Sequence, residues 1–195
     1  MGYDAEIDRR ELLPALFPAP GDILMVSGLA GASRDAAALT GDGDTLFTMA
    51  GTMGAAVPLG LGMALSAPAS QVAVITGDGE LLMDLGALAT VATQAPENFS
   101  IICIDNGRHG ETGGQLGHTS HRTDLARIAE GAGLASVLAI SRPGEIAAAA
   151  KFLAEATAPR FLLVRVKAGP PAAYQRDLDP AACRLRFRNA YLGAG

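Results

Sequence analysis

The amino-acid sequence predicts an α/β fold: a doubly wound, mainly parallel sheet of six strands with helices on both faces. Short β-rich runs alternate with longer segments of helical periodicity, an order that favours a parallel sheet with crossover helices. Several of the short runs are apolar at nearly every position, which is typical of strands covered on both faces. The predicted strands are Asp22–Ser27, Thr45–Met49, Gln71–Thr76, Ser100–Asp105, Ser136–Ile140 and Phe161–Val166.

Two of the segments between strands have clear helical spacing, with apolar residues three and four positions apart. One helix is predicted from Leu81, Leu85, Leu88 and Ala92. A second is predicted from Ile146, Ala149, Ala150 and Leu153. We expect Ser141 to open this second helix, with Pro143 near its first turn.

The chain is expected to consist of a domain over residues 1–167 and a tail over residues 168–195. The segment from Ala168 to Pro180 contains Gly169-Pro170-Pro171 and is predicted to be a linker. A short helix over Ala181–Tyr191 follows and carries three basic residues: Arg184, Arg186 and Arg188. These arginines form either a solvated basic face or a surface that contacts a partner, and the sequence favours neither interpretation.

Composition and charge exclude several classes of function. Of the 195 residues 49% are hydrophobic and 18% charged, which is enough for a sizeable core. The net charge of −5 argues against a nucleic-acid surface. The most apolar stretch, residues 55–67, is too short and too rich in Gly and Pro to span a bilayer, and the acidic start lacks a signal-peptide pattern, so a cytoplasmic protein is expected. Cys103 and Cys183 are too few for a disulfide framework or a zinc site.

Polar residues follow two apolar strands of the predicted sheet. Gly77-Asp78-Gly79 follows the third strand and precedes a helix, and Asn106 follows the fourth strand. Adjacent parallel strands would bring a carboxylate and an amide oxygen to one edge of the sheet, and such oxygens suit Mg²⁺ or Ca²⁺. The amides at the start of the helix would face a phosphate, and the glycines would let the backbone approach it closely. The sequence therefore predicts a site for a metal ion and a phosphate.

The triplet Gly41-Asp42-Gly43 copies the first part of this pattern. It is predicted to be an ordinary polar turn, because no Asn follows at the matching distance and Asp44 would add negative charge beside a phosphate.

The pair of motifs resembles the signature of thiamine diphosphate (ThDP) enzymes, Gly-Asp-Gly followed after some two dozen residues by Asn. The resemblance implies that Mg²⁺ is held by the side chains of Asp78 and Asn106 and by the backbone carbonyl of Arg108. Two residues depart from the usual pattern: Asp105 stands where the family commonly has a first Asn, and Glu80 where it often has a small residue. A carboxylate at position 80 would repel the diphosphate unless it turns away or pairs with a cation.

Two further segments extend the resemblance. Gly51-Thr52-Met53-Gly54 is similar to a segment that lies under the cofactor in ThDP decarboxylases, with the Gly51 carbonyl on the aminopyrimidine and Met53 between the rings. Residues 107–115, expected to be a loop, and residues 27–35 resemble segments of phosphonopyruvate and sulfopyruvate decarboxylases. The resemblance covers residues 22–133, and the cofactor contacts it implies are Gly51, Thr52, Met53, Gly77, Asp78, Gly79, Glu80, Asn106, Arg108, His109 and Gly110.

The resemblance implies one half of a split decarboxylase, the diphosphate-binding β-subunit, working in a hetero-oligomer. The activating Glu of the family lies on a pyrimidine-binding domain, so a partner α-subunit is expected to supply it. The implied substrate is an acidic 2-oxo acid, with sulfopyruvate favoured over phosphonopyruvate, and the products are an aldehyde and CO₂. The alternatives are a subunit of a 2-oxo acid oxidoreductase or a synthase, and a non-catalytic scaffold subunit.

His109 and Glu111 are the predicted catalytic residues, because they follow a predicted metal ligand closely. Glu111 has two interpretations, a proton relay or a partner of Gln115. The anionic tail of the substrate would need cationic groups besides His109, and the candidates are Arg34, His118 and Arg122.

Overall fold

The computed structural model describes residues 4–49 and 51–192. The α-helices are α1 (Arg9–Leu16), α2 (Ala30–Thr40), α3 (Ala56–Ser66), α4 (Asp78–Leu81), α5 (Gly86–Gln94), α6 (Leu125–Gly131), α7 (Ile146–Glu155) and α8 (Pro180–Leu192). The strands are β1 (Ile23–Ser27), β2 (Leu46–Thr48), β3 (Gln71–Gly77), β4 (Phe99–Asp105), β5 (Arg108–His109), β6 (Gln115–Leu116), β7 (Ser136–Ile140) and β8 (Arg160–Arg165).

The main sheet has six strands in the order β2-β1-β3-β4-β8-β7, and every neighbouring pair is parallel. The predicted sheet and its six strands are thus confirmed, with strand ends that differ by one residue at most. The order reverses at β1 and β3, so the carboxyl ends of these strands form the crevice where such sheets bind ligands.

Each face of the sheet packs against its own set of helices. One core cluster joins the sheet to α3, α5, α6 and α8, through residues such as Leu61, Leu88 and Phe187. The other joins the opposite face to α1, α2 and α7, through Leu12, Ala36 and Ala149 among others. Burial of apolar side chains on both faces accounts for the nearly continuous apolar sequence of the strands. The doubly wound architecture is therefore confirmed.

Two predicted helices differ from the structure in how they begin or continue. The predicted single helix over residues 81–92 is wrong, because a 3₁₀ turn at Leu82–Asp84 and Gly86 separate α4 from α5. Glycine is a poor helix former, which favours a break at this position. Before α7, a 3₁₀ turn at Pro143–Glu145 comes first, and the backbone N–H of Ser141 donates to the Glu145 carboxylate (2.8 Å). Glu145 rather than the Ser141 side chain therefore caps this turn.

The C-terminal helix α8 packs against the domain beside the edge strand β2. Phe187 meets Phe47 edge to face at a centroid distance of 5.6 Å, and the backbone N–H of Thr48 points at the buried Cys183 Sγ (3.4 Å). Arg184 and Arg188 are exposed, so the helix combines a docked apolar side with a solvated basic side. A covered edge strand is protected from pairing with other chains.

Three further features of the fold concern the cysteines, the first Gly-Asp-Gly triplet and the length of the helices. Cys103 and Cys183 are both buried and free, as expected for residues that form no disulfide. Gly41-Asp42-Gly43 is a turn after α2, with Gly41 and Asp42 both at positive φ. Among the helices described here, none has the length and apolar character needed to cross a membrane.

Candidate active site

A cavity of about 430 Å³ opens at the carboxyl ends of β1, β3 and β4. Its volume lies within the range typical of small-molecule sites, roughly 300–1,000 Å³. The residues that line it and were also predicted from the sequence are Arg34, Met53, Gly77, Asp78, Gly79, Glu80, Asn106, Arg108, His109, Gly110 and Glu111. The cavity is therefore the site that the motifs indicate.

Asp78 is held at the cavity floor by contacts with the neighbouring strand. The β3–β4 register pairs Gly77 with Ile104, so Asp78 comes to lie beside Asp105. The Thr119 hydroxyl lies 2.8 Å from Asp105 Oδ1 and 3.2 Å from Asp78 Oδ2, and it bridges the two carboxylates. Because Asp78 is only 4% exposed, burial raises its pKa to about 6, and the nearby Asp105 charge adds to the shift.

Two closely spaced, buried carboxylates favour a bound cation, which would offset the cost of their burial. Asn106 lies one residue beyond Asp105, and its Oδ1 accepts from the backbone N–H of Arg108 (3.0 Å). An amide oxygen has two lone pairs, so this hydrogen bond leaves one for a metal. The donor set fits a hard divalent cation held by few protein groups.

The segment after Asn106 is a β-hairpin, so the expectation that residues 107–115 form a loop without strands is wrong. Strand β5 pairs with β6 in antiparallel register, Arg108 opposite Leu116 and His109 opposite Gln115. The carbonyls of Gly107 and His109 both accept hydrogen bonds from the β6 side, at 2.7 and 2.9 Å. Since carbonyls alternate along a strand, that of Arg108 points away from the hairpin partner, as a backbone metal ligand requires.

Glu80 turns away from the open part of the cavity toward the end of β1. The backbone N–H of Leu29 donates to its Oε2 at 3.2 Å, while Oε1 is buried with no hydrogen-bond partner among the described residues. Burial raises the pKa of Glu80. A Cβ at Gly28 would overlap this carboxylate, so Gly28 makes room for it. The expected conflict between Glu80 and a diphosphate is thus avoided by turning the side chain away.

His109 and Glu111 both line the cavity from the hairpin. His109 Nδ1 lies 3.3 Å from the position that a Cβ at Gly79 would take, so the imidazole packs closely over the first turn of α4. Gln115 exchanges hydrogen bonds with Thr112, through Nε2 to the Thr112 carbonyl (2.9 Å) and through Oε1 from its hydroxyl (3.2 Å). The contacts of Gln115 give no support to a pairing with Glu111.

The segment before α3 forms one rim of the cavity. Met53 is 39% exposed and lines the opening, whereas Gly51 and Thr52 lie outside the lining. Gly51 has φ 103°, a backbone conformation that favours glycine. An exposed Met at the mouth of this cavity is suited to contact a ring system.

The cationic residues proposed to bind the substrate anion do not all lie at the cavity. Arg34 lines the cavity, but His118 and Arg122 do not. His118 belongs to a 3₁₀ turn behind the hairpin, where its ring meets that of His109 at a centroid distance of 6.4 Å. Because neither His118 nor Arg122 belongs to the lining, the cavity gives no support to their candidacy for the anion.

Two residues of the site were missed by sequence reasoning. Thr119 bridges the carboxylates from the 3₁₀ turn His118–Ser120, a segment that has no local motif, so only its hydrogen bonds in the folded protein reveal it. Arg9 lines the cavity from α1 and forms a buried ion pair with Asp35, at 2.7 Å from Nη2 to Oδ2. An Arg at the start of an amphipathic helix carries no signal that distinguishes it from a surface cation.

A sequence model described as "Thiamine pyrophosphate enzyme, C-terminal TPP binding domain" matches residues 45–166, more than half of the chain. The chain belongs to this thiamine pyrophosphate enzyme family. The matched stretch contains both segments that converge at the cavity, the one around Asp78 and the one around Asn106.

Several named relatives of this family member are decarboxylases, and two others are named as subunits of an acetolactate synthase and a 2-oxoglutarate synthase. The β-subunit of sulfopyruvate decarboxylase from Methanocaldococcus jannaschii is 44% identical over 96 residues, 49% of this chain and 50% of the relative. The equivalent subunit from Methanococcus maripaludis is 28% identical over 185 residues, 95% of this chain and 98% of the relative. Phosphonopyruvate decarboxylase from Streptomyces viridochromogenes is 36% identical over 170 residues, 87% of this chain and 42% of the relative.

The match therefore spans about half of the first relative and less than half of the phosphonopyruvate enzyme. A solved structure, that of a candidate thiamin diphosphate-dependent enzyme from Mycobacterium smegmatis, superimposes with a TM-score of 0.69 at 22% identity. The superposition covers 85% of this chain and 33% of that one, and it confirms the fold.

Proposed function

We propose that this chain is the diphosphate-binding β-subunit of a ThDP- and Mg²⁺-dependent decarboxylase that converts an acidic 2-oxo acid into an aldehyde and CO₂. Sulfopyruvate is the favoured substrate and phosphonopyruvate the next. The observation that carries the proposal is the placement of Asp78 and Asn106 at the ends of adjacent strands on one cavity. The sulfopyruvate and phosphonopyruvate decarboxylases among the relatives support the choice of substrate class.

In this proposal the metal is held by Asp78, Asn106 and the carbonyl of Arg108. The backbone of Gly77 and Gly79 approaches the diphosphate, and Glu80 contributes only main-chain atoms because its side chain faces Leu29. Gly51, Thr52 and Met53 support the aminopyrimidine, and Gly110 follows His109 along the diphosphate. When bound, ThDP supplies the electron sink for the loss of CO₂. The chain's own part is to position the cofactor and to neutralise its charge.

The proposed acid–base groups are His109 and Glu111, since both line the cavity beside the metal ligands. His109 lies over Gly79, close to the place proposed for the diphosphate group of ThDP. In this position it would hold a proton near the reacting carbon of the bound cofactor. Glu111 lies in the 3₁₀ turn Gly110–Thr112 that connects the two strands of the same hairpin. It would exchange that proton with solvent.

The activating Glu is proposed to come from a partner α-subunit with a pyrimidine-binding domain. The carboxylates that line the described cavity have other roles in this proposal: Asp78 holds the metal, Glu80 faces the β1 end, and Glu111 lies on the hairpin. Several relatives are named β-subunits, which supports a hetero-oligomer.

Cofactor binding and turnover test different parts of the proposal. The chain is co-expressed with its partner subunit, and the complex is heated with and without ThDP and Mg²⁺. We expect the Tm to rise only when both are present, because ligands that bind the folded state stabilise it. No change in Tm would contradict the proposed cofactor site.

Turnover is then measured as CO₂ and aldehyde released from sulfopyruvate, phosphonopyruvate and pyruvate. We expect sulfopyruvate to give the largest kcat/KM. A complex that binds ThDP but releases no CO₂ would instead favour a scaffold subunit. Formation of a condensation product or reduction of an electron acceptor would favour a synthase or an oxidoreductase.

A further inference from the structure

One wall of the cavity is formed by a segment of the tail that lies along α2. We call residues 169–177 the C-terminal strap; Gly169, Pro170 and Pro171 line the cavity. The strap is fastened at two points, where the backbone N–H of Ala172 donates to Asp35 Oδ1 (2.8 Å) and that of Asp177 donates to Asp42 Oδ2 (2.7 Å). Both acceptors belong to α2 or to the turn that follows it, so the strap is held beside this helix.

Arg176 lies on the strap between these two fastenings and close to Arg34 of α2. Its Nη1 is buried and has no hydrogen-bond partner within residues 4–49 and 51–192. Burial lowers the pKa of Arg176, and the nearby Arg34 lowers it further, whereas Glu111 and Asp42 act in the opposite direction. Arg34 and Glu111 belong to the cavity lining, whereas Arg176 lies outside it, on the strap that continues from Gly169, Pro170 and Pro171 and within electrostatic range of both residues.

The other arginines of the lining are already engaged by protein groups. Arg9 is paired with the buried Asp35, and Arg108 Nη1 donates to the Gly114 carbonyl at 2.9 Å. Arg34 lines the cavity and has no hydrogen bond or ion pair with any residue of the described ranges. Arg34 thus presents its donors to the cavity, and the buried Nη1 of Arg176 has no acceptor among the described residues. The like charges of the two residues would repel each other without an anion.

We propose that Arg34 and Arg176 bind the anionic substituent of the substrate, a tetrahedral sulfonate or phosphonate, and thereby set the preference for acidic 2-oxo acids. Planar guanidinium groups present several N–H donors to such oxyanions and form strong charge-assisted hydrogen bonds. The strap then contributes a specificity residue from outside the family domain. This inference rests on the proposed function, because it assigns one end of the same substrate.

The test uses the complex of this chain with its partner and compares Arg34→Gln, Arg176→Gln and Arg127→Gln. Arg127 is the matched control, since its side chain is 85% exposed and pairs with Asp124 on α6. We expect the KM for sulfopyruvate and phosphonopyruvate to rise about 10- to 100-fold in the first two variants, as loss of a charged hydrogen bond predicts. The KM for pyruvate, which lacks the anionic group, should not change, and Arg127→Gln should behave as wild type.

Further outcomes separate this inference from the proposed function. If the variants bind ThDP and Mg²⁺ normally and handle sulfopyruvate and phosphonopyruvate as the wild type does, the assignment of Arg34 and Arg176 is wrong. If the wild-type complex itself releases no CO₂, it is the proposed function that fails.

If the Arg176→Gln variant does not fold, the Arg176→Lys variant is tested instead. Lys keeps the positive charge but lacks the planar guanidinium group. We then expect a smaller rise in the KM for both acidic substrates, with pyruvate again unchanged. An equal rise for all three substrates would indicate a purely structural role for the strap and would overturn the inference.

Discussion

The same three residues, Gly-Asp-Gly, occur twice in this chain and do different things. Gly41-Asp42-Gly43 follows helix α2, where Gly41 and Asp42 both have positive φ and Asp42 accepts a hydrogen bond from the strap. Gly77-Asp78-Gly79 follows strand β3 and starts helix α4, and its Asp faces Asp105 at a cavity floor. The element before the triplet therefore decides where it lies: a helix end makes it a surface turn, and a central parallel strand places it at the floor of the cavity.

The largest difference between the two triplets is expected in cofactor binding. Asp78→Asn removes the charged ligand, and we expect the affinity for Mg²⁺ and ThDP to fall at least about 1,000-fold, equivalent to about 4 kcal/mol. Asp42→Asn should leave that affinity unchanged. The measurement is titration calorimetry of the complex with ThDP at fixed Mg²⁺.

The Tm of the cofactor-free complex provides a control, because Asp78→Asn is expected to weaken cofactor binding without lowering this Tm. Burial disfavours the Asp78 carboxylate, so Asp78→Asn should keep the Tm of the cofactor-free complex at or above the wild-type value. A large drop in that Tm would show that Asp78 is needed for folding, and the comparison of the two triplets would then lose its meaning.

The next largest effect concerns the two carboxylates that fasten the strap. Asp35→Ala leaves Arg9 buried without its partner, and loss of one member of a buried pair costs about 3–5 kcal/mol. Asp42→Ala removes one hydrogen bond at a turn and should cost less than about 1 kcal/mol. Urea unfolding of both variants measures the difference, and equal losses would contradict it.

Sequence reasoning predicted the fold and brought the candidate ligand residues to one edge of the sheet because both depend on local patterns. Apolar strands and short Gly-rich turns are each determined by a few consecutive residues, so a local pattern can identify them. Strands β3 and β4 are also neighbours both in the sheet and in the sequence. The register of these two strands then brings Asp78 and Asn106 to the same cavity. The placement of the predicted ligands thus follows from the same pattern that predicts the sheet.

Other parts of the site depend on contacts between distant segments. Thr119 reaches Asp78 from 41 residues away, and the strap meets Asp35 across 137 residues. No periodicity or turn motif encodes such contacts, because they arise only after the sheet and its helices have packed. The break between α4 and α5 was missed for a local reason, because the helical spacing of the apolar residues continues across Gly86.

The third-largest effect concerns the hydrogen bonds between Thr119 and the carboxylates of Asp78, in the second triplet, and Asp105. Thr119→Val removes the hydroxyl shared by Asp78 and Asp105 and should destabilise the protein by about 1.5–3 kcal/mol, the usual worth of a hydrogen bond to a charged group. Thr119→Ser keeps the hydroxyl and should remain close to wild type. Thr93→Val is the control, since Thr93 bonds only the Ala89 carbonyl on an exposed turn of α5. Similar losses in all three unfolding experiments would argue against the network.

The smallest effects should separate the glycines of the two triplets. Gly41 ends α2 with φ 64°, so Gly41→Ala forces a side chain into the left-handed region at a cost of about 1 kcal/mol and should not affect ThDP binding. Gly79 lies in α4, and a Cβ there would approach His109 Nδ1 to 3.3 Å. Gly79→Ala should therefore leave stability nearly unchanged but weaken ThDP binding about 10-fold, or about 1.4 kcal/mol. Unfolding curves and ThDP titrations of both variants test this crossed pattern, and a Gly79→Ala protein that binds ThDP as tightly as wild type would show that the backbone at this turn does not approach the cofactor.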